Sequence, residues 1–111
     1  MRSLVAALLF VALPAYAGPR AKSVAECMVL ADLALVASTL AKHGIGRDKT
    51  DTMLPDMYDL TRPEARELAR QIVDVAYRPN PDAEPKGFAV TVGNVCVRSG
   101  GRVDAILGVR L

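Results

Sequence analysis

Lys86-Gly-Phe-Ala-Val-Thr-Val-Gly-Asn-Val-Cys-Val-Arg98 is the stretch that decides the fold. Its β-branched Val90, Thr91, Val92, Val95 and Val97 favour a strand. Gly93-Asn94 fits the turn of a hairpin. Yet Phe88, Val92, Val95, Cys96 and Ser99 recur on one helical face. Two strands with no sheet to join are also only marginally stable in water. Ser99-Gly100-Gly101 then reads as a helix stop. The spacing predicts a helix over 86–98, with a C-terminal β-hairpin as the alternative.

Cys96 points outward to the rest of the chain, because Cys27 is its single counterpart. The beginning of the sequence says where the two would meet. Met1-Arg2 gives a positive start, and Leu4 to Leu13 is an apolar run too short to span a bilayer. Pro14 breaks the run, and Ala15-Tyr16-Ala17 fits a small-x-small cleavage site. Residues 1–17 are therefore expected to be a signal peptide, and 18–111 a single exported domain, periplasmic or secreted. In an oxidising compartment an even pair of cysteines implies a disulfide, here Cys27 to Cys96. The separation is not C-x-x-C, which argues against a redox pair.

The stretch from Val24 to His43 contains neither Gly nor Pro and is rich in Ala and Leu, which predicts a long helix. Ser23 with Glu26 has the spacing of a capping box, and Gly44-Ile45 that of a glycine C-cap. Val29, Leu33, Ala37, Leu40 and Ala41 share a face, and apolar residues continue on both sides of it. That is the pattern of a central, mostly buried helix. Gly18 to Lys22, before it, reads as a flexible lead. A second, short helix is expected over about 50–59, kinked or beginning late because Pro55 suits a first turn and not a helix interior. Thr61-Arg62-Pro63-Glu64 reads as a capping box opening a third helix. Ala65, Leu68, Ala69, Ile72, Val75 and Ala76 form its stripe, and Pro79 stops it. Pro79 to Pro85 is a stiff linker. Val103 to Leu111 is an apolar tail expected to pack back as a turn of helix and an extended end. The fold class is all-α: a small bundle of about four helices with one disulfide joining first to last.

The chain carries a net charge of +2 at pH 7, and Arg2 leaves with the signal peptide. So even a balance gives no electrostatic case for nucleic acid or acidic lipid. Beyond residue 17 the aromatics are Tyr58, Tyr77 and Phe88, too few for stacking on bases. No stable membrane insertion is expected once the signal is removed.

Asp32 is the one charge in the middle of the first helix, and so a possible buried polar group. His43 stands in the last turn of that helix, with no nucleophile or orienting carboxylate that the sequence places beside it. Asp48, Asp51, Asp56 and Asp59 cluster locally but lack the alternation, central Gly and closing Glu of a calcium loop. Arg62, Arg66 and Arg70 align at four-residue spacing as a possible partner surface, although Glu64 and Glu67 are interleaved. No catalytic, metal-ligating or cofactor-binding set emerges, and no cofactor is expected. The format resembles that of periplasmic acid-stress chaperones and of some immunity proteins against secreted toxins, small helical proteins with one disulfide between first and last helices. No motif carries that comparison to particular residues. The expectation is a non-enzymatic exported protein that binds a protein partner in the envelope. The alternatives are a stress chaperone or an enzyme accessory.

Overall fold

In a computed structural model the chain is described at residues 18–78 and 84–107. The expected signal peptide, most of the proline-rich linker and the last residues of the tail lie outside the described residues. Four α-helices follow in order: α1 (Val24–Lys42), α2 (Arg47–Met57), α3 (Pro63–Ala76) and α4 (Pro85–Arg98). A 3₁₀ turn, Asp104–Ile106, comes last, and there is no strand among the described residues. The deciding stretch is therefore helical. Phe88, Val92 and Cys96 are buried on its inner face, as their spacing predicts. Gly93, the first residue of the alternative hairpin turn, is also buried: a Cβ there would lie 3.3 Å from the Cβ of Ala31. The glycine lets α4 approach α1 closely, which is why it sits in a helix interior despite its poor propensity.

α1 is the centre, packing on α3 through one side and on α4 along its length. Leu30, Leu33, Ala34 and Ala37 are fully buried within it. Cys27 and Cys96 form the disulfide between these helices, with Cα atoms 5.6 Å apart. The core is completed by Leu54 from α2, Leu68, Ile72 and Val73 from α3, and Val103 and Ile106 from the returning tail.

The helix ends follow the sequence in part. At α1 the Ser23 hydroxyl accepts from the Glu26 amide at 3.1 Å. The Glu26 carboxylate reaches back one residue further than a capping box requires, to the Lys22 amide at 2.9 Å. At the other end Ile45 N–H donates to the Leu40 carbonyl and Gly44 N–H to that of Ala41, with Gly44 at φ 79°. This is a Schellman closure. The same pair of bonds closes α2, where the left-handed position is taken by Asp59 at φ 53°.

Three expectations are corrected. The second helix begins early rather than late, at Arg47, and Pro55 occupies its last turn. Pro55 leaves the Asp51 carbonyl without its i+4 N–H donor, a cost set against burial of the proline ring. Thr61 does not cap α3. Proline forces the residue before it out of the helical region, so Arg62 is the N-cap (φ −71°, ψ 130°), and it makes no side-chain cap bond. Nor is the lead before α1 free: Ala21 is buried, and its amide donates to the Gly101 carbonyl at 2.7 Å.

Candidate functional site

The polar residues gather on the α2–α3 side. Tyr77, at the end of α3, donates its hydroxyl to the Ile45 carbonyl at 2.6 Å. Thr50 Oγ1 lies 2.8 Å from the Tyr77 hydroxyl oxygen. Since the phenol has one proton and spends it on Ile45, the fully buried Thr50 hydroxyl donates to Tyr77. This node fixes the α1–α2 connection against α3. Arg47 adds ion pairs to Asp51 at 3.3 Å and Asp74 at 2.8 Å. Asp74 also pairs with Arg78 at 3.2 Å.

Between these ties lies a shallow groove of about 330 Å³. Pro55, Ala69 and Val73 are its buried apolar lining, and Asp51, Arg66, Glu67 and Arg70 are its polar one. Glu67 accepts two hydrogen bonds from Arg70. That bonding holds the Glu67 carboxyl below the usual carboxylate range and raises the Arg70 guanidinium above its own, with the opposite charges reinforcing both shifts. Asp51 places one oxygen on Arg47, while the other is buried without a hydrogen-bond partner. The lining is thus an apolar floor with charge of both signs around it.

The arginine row divides. Arg66 and Arg70 line the groove. Arg66 also donates to the Leu60 carbonyl at 2.8 Å and lies 3.9 Å from Asp56. Arg62, standing before α3, turns away to α1, where it pairs with Glu26 and donates to the Arg20 carbonyl. The Glu26 hydrogen bond raises its guanidinium further above the ordinary value.

Asp32 is not a buried polar group. It is exposed at the edge of α1 and accepts a hydrogen bond from Tyr58. Burial first, and then that bond, push the Tyr58 phenol well above its ordinary pKa. His43 is exposed, and its Nδ1 lies 2.8 Å from the Thr39 carbonyl, so that nitrogen carries the proton. The aspartate cluster is dispersed: Asp51 turns to Arg47, Asp56 to Arg66, and Asp59 closes α2. Among the described residues no three His, Cys, Asp or Glu side chains converge on a metal position.

Sequence reasoning did not single out Thr50, Tyr77 or Arg47. The available signal was Thr50 one helical turn before Leu54, which puts both on the buried side of α2. No protein-family model matches this chain, and neither a curated protein nor a solved structure matches it.

Proposed function

We propose that this is an exported, non-enzymatic protein of the cell envelope whose α2–α3 groove binds a protein partner. The carrying observation is the groove itself: an apolar floor of Pro55, Ala69 and Val73 beside Arg66, Arg70 and Glu67, held open between two helices tied by Thr50, Tyr77 and Arg47. Arginine beside a small apolar surface is a frequent anchor of protein interfaces. Residence in the periplasm or outside the cell is supported by the signal-like residues 1–17 and by the Cys27–Cys96 bridge.

The test is crosslinking from the native envelope with a photoreactive residue at position 71, beside the groove. One stoichiometric partner is expected, lost in Arg66→Glu/Arg70→Glu while the circular dichroism stays unchanged. A broad set of clients that grows on acidification would replace this reading with that of a stress chaperone. Substrate turnover without any partner would replace it with an enzyme.

A further inference from the structure

α1 is long and apolar enough to cross a membrane, and yet only 33% of its most apolar window is buried. A helix apolar on all sides ordinarily has all sides covered. One flank of α1 is not: Val24 is 62% exposed and Met28 58%. α4 runs antiparallel to α1, with register fixed by Cys27 against Cys96 and Ala31 against Gly93. On α4, Val90 and Val97 are 62% and 45% exposed. In α1, residues 24, 28 and 31 share a flank by helical spacing, and in α4 residues 90, 93 and 97 do. The Ala31–Gly93 contact therefore lies between the two exposed pairs, which form one apolar face.

The charges sort themselves around that face. Arg47, Arg62, Arg66, Arg70, Arg78 and Arg102 are all in ion pairs, five of them involving α2 or α3. Lys22, Lys42, Lys86 and Arg98 are exposed, and none forms an ion pair among the described residues; Arg20 in the lead and Lys49 on α2 are exposed and unpaired there as well. Lys42 ends α1 and Lys86 lies in the first turn of α4, so the antiparallel pairing puts both at one end of the face. Lys22 and Arg98 fall at the other. α4 contains no acidic residue, although the exposed Glu84 stands at its N-cap, and the two of α1 are engaged, Glu26 by Arg62 and Asp32 by Tyr58. The arginines of α2 and α3 are thus neutralised, Lys49 being the exposed cation of those helices outside an ion pair among the described residues, while both ends of the α1–α4 face carry unpaired cations.

We propose that the α1–α4 face rests on an anionic lipid surface, with Val24, Met28, Val90 and Val97 entering the headgroup region and Lys22, Lys42 and Lys86 meeting lipid phosphates. An apolar strip with lysines at its margins is what an interfacial helix presents. A second copy of the chain fits less well, because it would bring lysine against lysine at each end, with Glu84 the one carboxylate beside Lys86 among the described residues. The contact is peripheral, since the bridge to α4 holds α1 in the bundle. It is independent of the groove, which lies on α2 and α3.

The experiment is co-sedimentation of the exported, oxidised protein with vesicles of phosphatidylcholine alone or with one-third phosphatidylglycerol. Binding is expected only to the anionic vesicles and should weaken as salt rises. Lys42→Gln/Lys86→Gln should weaken it about 25-fold, at roughly fivefold for each lysine near the surface. Met28→Ser/Val90→Ser should weaken it at unchanged circular dichroism. Arg66→Glu/Arg70→Glu, in the groove, should not. Absence of binding, equal binding to both vesicles, or indifference to the face substitutions overturns the proposal. So does a lipid-free dimer that Val90→Glu dissociates, which would make a second copy the occupant.

Discussion

Gly93 and Ala31 bring α4 and α1 together at a distance that leaves a second methyl group tightly placed: a Cβ on Gly93 would stand 3.3 Å from that of Ala31. In a helix interior Gly→Ala usually stabilises by about 1 kcal/mol. Here the contact works against that gain, and the disulfide one turn away restrains the helices from parting. Gly93→Ala should therefore gain nothing or lose up to about 1 kcal/mol, and Gly93→Leu should lose about 2 kcal/mol or more by overpacking. Urea unfolding measures both. A double-mutant cycle with Ala31→Gly should show favourable coupling, and additivity would contradict the close contact.

Gly101→Ala should be among the most damaging single changes. The added Cβ would fall 2.3 Å from the backbone oxygen of Ala21, at a residue held at φ 100°. Neither backbone can yield without breaking the Ala21 to Gly101 hydrogen bond. A loss of about 2–4 kcal/mol is expected, in the range of strain and lost packing combined. Trypsin should then cleave sooner after Arg20 and Lys22. Unchanged cleavage would mean that the lead is not docked.

Asp59→Gly should stabilise the protein. Asp59 is exposed and occupies the left-handed region at φ 53°. A side chain there costs on the order of 1 kcal/mol, offset in part by the greater freedom glycine has when unfolded. The expected gain is about 0.5–1 kcal/mol, read from the urea midpoint. A loss would show that the Asp59 carboxylate has a bonding role.

Reducing the Cys27–Cys96 bridge should lower stability by about 4 kcal/mol, from the entropy of a loop spanning 69 residues. For a domain of ordinary stability that is most of what it has. Thermal unfolding with and without reductant is the measurement. A negligible difference would mean that the reduced chain keeps its ends together by packing alone.

The Tyr58 phenol should resist ionisation. Its folded pKa is raised, so folding favours the protonated form. Its contribution is then complete below the ordinary tyrosine value of about 10 and is lost as pH rises past it. Carbon-13 tyrosine NMR separates Tyr58 from Tyr77. Asp32→Asn should bring the Tyr58 titration down, though not to the ordinary value, because burial acts more strongly than the bond. A Tyr58 that titrates like free tyrosine would contradict the arrangement.

Much of the architecture is legible in local pattern. Phe88, Val92 and Cys96 mark the inner face of α4, and Ser23 and Gly44 bracket α1, because side-chain period and cap chemistry act over a few residues. Pro63 misleads through its neighbour: it moved the cap from Thr61 to Arg62, a steric effect that overrode a good capping pattern. Asp32 looked buried because its helical neighbours are apolar. Only the approach of Tyr58 from the end of α2 shows that it lies at an edge. The groove was half legible. Arg66 and Arg70 share one helix and could be aligned, whereas Asp51 and Pro55 reach them through a tertiary contact that spacing does not encode.

The bridge also has a mechanical consequence. α2 and α3 lie wholly inside the covalent ring closed at Cys27 and Cys96. Tension applied between the two chain ends runs through the sulfur–sulfur bond and bypasses them. Only the backbone before Cys27 and after Cys96 can be drawn out, at up to about 3.5 Å per residue. A processive unfoldase pulling from either end would extend that slack and then meet a closed loop, which it must swallow as a doubled strand or abandon. The groove is thereby shielded from axial force, and a nick anywhere within the ring would leave its two pieces in one molecule.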